Sequence, residues 1–334
     1  MKELLKQIKD PELEKILNSI KIDDKDSNAS DQFNKVKENY TEYDTSFLWL
    51  LSYQCEHSIR SQKYVECNYN NFKHFLDAGF PKKLVRKDCF HSHMWEMVLC
   101  DLLKFSGKLV QKSAGGADFL IETKEGVEVQ IEATCPNEAE EITLRSEKPP
   151  EDQGPEEIFS RGGKIDDLEL PILLRAIGKG FDAKSEKYDK NKPLIIAINT
   201  FKTVGMTSND DYILRKMLFG LGNFTYTKKS DGTLQKGLEY SPGIGKPGEE
   251  SFIGARFLNE ENAHVSGVIY TSQNPLGLIP NSWGWSNSGI FFAPNPYATH
   301  KVNIDFPFFK KMICNEKTYR VEEEKEIFKG SFDF

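Results

Sequence analysis

The chain has 334 residues, with hydrophobic and aromatic contents of 38% and 12%, enough to build a core and to exclude a disordered protein. A formal net charge of −7 excludes a generally basic nucleic-acid binder, though not a local basic patch on an enzyme that uses a metal against a polyanion. No run approaches the roughly 20 apolar residues that span a bilayer, and Met1-Lys2-Glu3-Leu4-Leu5-Lys6 lacks the apolar region of a signal peptide, so no membrane partner and a cytoplasmic location are expected. The cysteines at 55, 67, 89, 100, 135 and 314 show no CxxC pair, which fits reduced thiols.

Residues 1–85 are expected to form an N-terminal helical region. Helical periodicity runs through Leu4, Leu5 and Ile8 and through Leu13, Ile16, Leu17 and Ile20, a solvated break follows at Asp23–Asp31, and aromatics crowd 45–85. A helix is predicted over His91–Phe105, with Met94, Val98, Leu102 and Phe105 on its buried side. Cys89, His91 and His93 at its start fall short of a zinc ligand set. A short strand at 108–111 and a Gly115-Gly116 turn come next.

The stretch GADFLIETKEGVEVQIEATCPN then reads as two strands, 118–123 and 127–134, joined by a turn at Lys124-Glu125-Gly126. Alternation in the second strand puts Val129, Ile131 and Ala133 on one face and Glu128, Gln130 and Glu132 on the other. That polar face reads either as the solvated side of an edge hairpin or as a gathering of functional acids.

Residues 137–167, rich in proline, glycine and acids, suggest a long loop or mobile lid. A helix over Leu168–Tyr188 has a stripe of Leu170, Leu173, Leu174 and Ile177, and the apolar run 193–199 marks a strand buried on both faces. A hairpin or loop insertion is expected in 221–250, and strands at 265–271 and 289–293. The core is taken as 86–315 and the charged C-terminal tail as 316–334. Trp283 and Trp285, beside turn residues, read as packing anchors or as platforms for bases.

This order of elements, with its carboxylates, resembles the PD-(D/E)XK nuclease superfamily over about residues 86–200. The resemblance implies an α/β fold with a restriction-endonuclease-like mixed β-sheet core flanked by helices, preceded here by the N-terminal helical segment. It matches Glu96 in HMWEMVLC to the acid of the first core helix, Asp118 in GADFL to the strand Asp, and Glu132 in VQIEATCP to the third-strand acid. Where the superfamily has Glu-x-Lys, this chain has Glu132-Ala133-Thr134, so Thr134 takes the lysine's place and Gln130 is a polar neighbour. Either the register shifts, or a lysine arrives from another element, with Lys112, Lys179 and Lys184 as candidates.

The resemblance implies that Asp118 and Glu132 are central ligands of Mg²⁺ or Mn²⁺, with Glu96 outermost. Such an ion shields a phosphodiester's charge and activates a water, while a lysine adds positive charge that a threonine hydroxyl cannot supply. Two functions stay open. One is a divalent-metal-dependent nuclease acting on nucleic acid, DNA ahead of RNA, with a homodimer compatible. The other is a catalytically inactive relative that binds nucleic acid or protein.

Overall fold

The computed structural model describes residues 28–77, 79–110, 116–136, 170–201, 211–240, 243–244, 253–278, 289–307, 309–315 and 318–322, and eight scattered residues between 4 and 16. The described residues up to 126, with those of 274–286, form one compact unit. Those of 127–273 and 287–327 form another. The lid expected at 137–167, Lys112, and Trp283 and Trp285 lie outside the described residues.

The first unit is largely helical, as its aromatic-rich sequence implies. It contains α1 (Ala29–Asn39), α2 (Thr45–Ser52), α3 (Glu56–Phe72), α4 (Phe80–Val85) and α5 (Phe90–Leu103). Asp44 caps α2, its carboxylate accepting from the Ser46 N–H at 2.9 Å and so satisfying a donor the helix leaves open. In α3, Tyr64, Val65, Tyr69 and Phe72 recur at helical spacing and are buried.

Helix α5 departs from the single stripe its sequence predicts. Met94 and Val98 are buried as expected, but so are Phe90, Trp95, Met97, Leu99, Cys100 and Leu103, while Phe105 lies past the helix and is exposed. A helix apolar on most sides belongs inside a bundle. Its buried Asp101 is matched accordingly: Tyr64 Oη donates to it at 2.9 Å, and Lys104 forms an ion pair with it. Burial, reinforced by the Asp101 charge, holds the Tyr64 phenol well above its ordinary range.

Two strands complete this unit. β1 (Lys108–Val110) and β2 (Phe119–Glu122) pair antiparallel, with Leu109 opposite Ile121. A turn closed by the Gly126 N–H on the Thr123 carbonyl at 2.9 Å follows, and Gly126 has a φ of 77° that favours glycine.

The second unit is a mixed sheet flanked by helices. Its elements in chain order are β3 (Glu128–Thr134), α6 (Leu170–Ser185), β4 (Leu194–Asn199), α7 (Tyr212–Phe219), β5 (Leu221–Lys228), β6 (Leu234–Tyr240), β7 (Gly243–Ile244), β8 (Ile253–Gly254), β9 (Val265–Thr271), β10 (Phe291–Pro294), β11 (Lys310–Asn315) and β12 (Thr318–Glu322). Within it the sheet order is β3-β4-β9-β10-β11-β12. β3, β4 and β9 run parallel, β10 is antiparallel to β9, β11 is parallel to β10, and β12 returns antiparallel.

Every residue of β4 and β9 is buried, which the apolar run at 193–199 anticipates. α6 lies between the parallel strands β3 and β4 and packs on both. Its stripe consists of Leu174, Ile177 and Phe181, all buried, whereas the side chains of Leu170 and Leu173 lie outside the described set. β12 falls where a charged tail is expected, and β5 with β6 form the hairpin foreseen in 221–250.

Candidate functional site

β3 carries the acids and amides that the sequence singles out, and its polar face is covered rather than solvated. Glu132 is 1% exposed and Gln130 7%. Each polar side chain on that face meets a group from α6 or from the turn that follows it. Glu128, at the exposed start of the strand, pairs with Lys192 at 2.9 Å. Gln130 donates from Nε2 to the Asp189 carbonyl at 3.2 Å. Glu132 accepts from the Lys184 ammonium. Thr134 ends the series beneath Gly180, where an added β-carbon would lie 3.7 Å from its Oγ1 and 3.3 Å from Pro136 Cγ.

The residue types follow from the packing. A carboxylate withdrawn from water is stable only beside a compensating charge or hydrogen bonds. Lys184 provides it, its ammonium on Glu132 and its side chain as a whole 30% exposed. Gly180, one turn earlier, brings the helix close to the end of β3. The solvated edge-hairpin reading of this face is therefore overturned for Gln130 and Glu132.

Among the lysines weighed for the missing motif position, Lys184 is the one that meets Glu132. Lys179 is exposed on another side of α6, as five residues at about 100° each turn it well away from Lys184. Lys112 lies outside the described residues. The signal for Lys184 was present in the sequence as its i+4 spacing from Gly180 and its i+3 spacing from the core residue Phe181.

The other assigned acids belong to the first unit. Asp118 is half-buried at the bend before β2, and Glu96 is half-buried in α5 between the buried Trp95 and Met97. Both make interactions of their own. At the start of α5, His91 Nε2 lies 3.1 Å from Ser46 Oγ, and His93 donates from Nδ1 to the Cys89 carbonyl at 2.9 Å, so both imidazoles have protein partners.

Carboxylate oxygens are the hard donors that Mg²⁺ and Mn²⁺ take, so the donor type of Glu96, Asp118 and Glu132 fits the implied ion. Among the described residues, no three His, Cys, Asp or Glu side chains are gathered to hold a metal. No helix among them is long and apolar enough to cross a membrane. Comparisons of the chain with protein-family models, curated proteins and solved structures find no match.

Proposed function

We propose that the chain is a divalent-metal-dependent nuclease with a restriction-endonuclease-like core, hydrolysing phosphodiester bonds of nucleic acid, DNA ahead of RNA. The observation that carries this reading is the buried Glu132–Lys184 pair. The acid sits on the strand that the resemblance matches to the acid-x-lysine motif, and an ammonium reaches it from α6. Lys184 then supplies the positive charge that Thr134 cannot.

The family resemblance implies that Asp118 and Glu132, with Glu96 outermost, would hold Mg²⁺ or Mn²⁺, which when bound would supply shielding of phosphate charge and a more acidic water. Lys184 holds Glu132 in place, and its side chain, 30% exposed, lies where an anionic substrate oxygen could meet it. Gln130, held by the Asp189 carbonyl, fixes the strand beside it.

The test is cleavage of single- and double-stranded DNA and RNA with Mg²⁺ and with Mn²⁺. The parent should cleave, Asp118→Asn and Lys184→Met should not, and both variants should keep the parental circular dichroism. Unchanged cleavage by Lys184→Met would remove the role given to that residue.

A second reading has its own observation. A carboxylate 1% exposed and paired with an ammonium is also a sufficient structural joint between strand and helix. On that reading the chain is a non-catalytic binding module, and no ion supports cleavage by the parent.

A further inference from the structure

The hairpin of β5 and β6 buries little of itself. Beyond Gly222 its described side chains are exposed, including Tyr226 at 63%, Leu234 at 67% and Tyr240 at 62%. Large apolar side chains standing in solvent on both strands of a two-stranded ribbon are unusual for a free arm. The register places Tyr226 opposite Lys236 and Lys228 opposite Leu234, so aromatic, aliphatic and basic positions share one face. Thr225 and Thr227 belong to the other.

The tip is built to hold its shape. The Lys229 N–H donates to the Thr233 carbonyl at 2.8 Å and the Gly232 N–H to the Lys229 carbonyl at 2.9 Å, with Gly232 at a φ of 86°. Asp231, the one acid between Asn223 and Leu238, is consumed by the turn, accepting from Thr233 N and Oγ1 at 2.9 and 2.6 Å. Lys228 and Lys229 are exposed and make no ion pair with any described residue. At the base, Glu239 lies 3.9 Å from Lys216, which keeps that acid away from the tip.

We propose that this ribbon is a docking arm for double-stranded nucleic acid, its lysines contacting backbone phosphates and the Tyr226 face entering a groove. It extends the nuclease reading by naming where the substrate is held, and it rests on that reading only for the identity of the substrate. Charge complementarity decides the partner. Three lysines in the ribbon's sequence against Asp231, held by the turn, and Glu239, beside Lys216 at the base, suit a polyanion on a chain of net charge −7. Shape agrees, since two strands about 4.8 Å apart with their side chains suit a major groove about 12 Å wide.

The experiment measures fluorescence anisotropy of a labelled duplex of about 20 base pairs across a salt series, in EDTA so that no cleavage intervenes. The proteins are the parent, the double variant Lys228→Gln/Lys229→Gln, and Tyr226→Ser. The double variant should bind more weakly, and its slope of log K against log salt should be shallower by about 1.8, the loss of two phosphate contacts. Tyr226→Ser should weaken binding with the slope unchanged, and thermal melts should match the parent because all three positions are exposed. A parent that binds no duplex, or a double variant with the parental slope and affinity, overturns the proposal. Loss of self-association in sedimentation, with duplex binding intact, reassigns the arm to a protein contact and also overturns it. The nuclease reading is judged separately. Ribbon-dependent binding by a parent that cleaves with neither ion upholds the arm and defeats the nuclease, while metal-dependent cleavage unaffected by the ribbon changes does the reverse.

Discussion

The Glu132–Lys184 pair gives the most informative perturbation, because its two partners differ in their access to water. Lys184→Met keeps the stem's packing and removes the charge, stranding a carboxylate that is 1% exposed. Removing one member of a buried pair costs about 3–5 kcal/mol, and the 30% exposure of Lys184 places this case at the low end, about 3 kcal/mol. Glu132→Gln leaves an ammonium that can turn toward solvent and an amide that can still accept a hydrogen bond, so the loss should be about 1 kcal/mol. In the double variant the stranded charge is gone, and its loss should fall about 2 kcal/mol short of the sum of the singles. Urea denaturation of the four proteins at pH 7.5 measures the cycle. Lys184→Met should also melt roughly 6–12 °C lower, at about 2–4 °C per kcal/mol for a unit of this size. Coupling below about 0.5 kcal/mol would refute the reasoning, since it would mean that the two groups do not sense each other in solution.

Other consequences are equally concrete. Gly267→Ala should cost about 1–3 kcal/mol in denaturant unfolding, because its β-carbon would lie 2.8 Å from Phe292 Cε2 and 3.0 Å from the Ala293 carbonyl oxygen. Burial depresses the pKa values of both His93 and His264 below the ordinary 6.5, opposed for His93 by the Cys89 carbonyl and assisted for His264 by the Lys190 charge. The unfolded chain therefore binds more protons in that range. The resulting stability is present above pH 6.5 and lost as pH falls through the lower folded values, so His93→Gln/His264→Gln should flatten the acid-side decline in stability between pH 7 and 5. Thiol alkylation at pH 8 followed by mass spectrometry should modify exposed Cys67 first. Cys314, pushed up to about 11 by burial, and Cys100, raised further by burial and by Asp101, should react only after unfolding.

The elements that could be read from the sequence are those whose own residues declare their surroundings. Residues 194–198 are apolar without interruption, and every residue of Leu194–Asn199 is buried. Val265–Thr271 is legible from its β-branched and aromatic residues, and the Lys124-Glu125-Gly126 turn announces the two strands around it. Tyr212–Phe219 was missed because eight residues offer barely two turns of periodicity, too few to separate Ile213, Leu214, Met217 and Leu218 from a strand. Lys310–Asn315 and Thr318–Glu322 were missed because lysine, arginine and glutamate mask their alternation. At the site, residue types pointed to Glu132 and Gln130, but polarity suggested exposure. Their covering arrives from residues 184 and 189, more than 50 positions later, and nothing local to β3 specifies it. Lys179 and Lys184 looked alike in one dimension. Only the rotation of α6 separates them.

The parallel run of β3, β4 and β9 also governs how the chain finds its fold. No tight turn can join such strands, so their contacts unite distant residues: Glu128 with Lys192 across 64 positions, and Thr200 with Tyr270 across 70. Loop-closure entropy has to be met before these contacts return anything, which slows folding and leaves the apolar edges of β4 and β9 open in the meantime. The helices of the first unit, with short-range contacts, are free to form earlier. During synthesis the ribosome releases β3 well before β4 and β9 exist, so the nascent chain carries Val129 and Ile131 without their β4 neighbour for the time it takes to make more than 60 further residues.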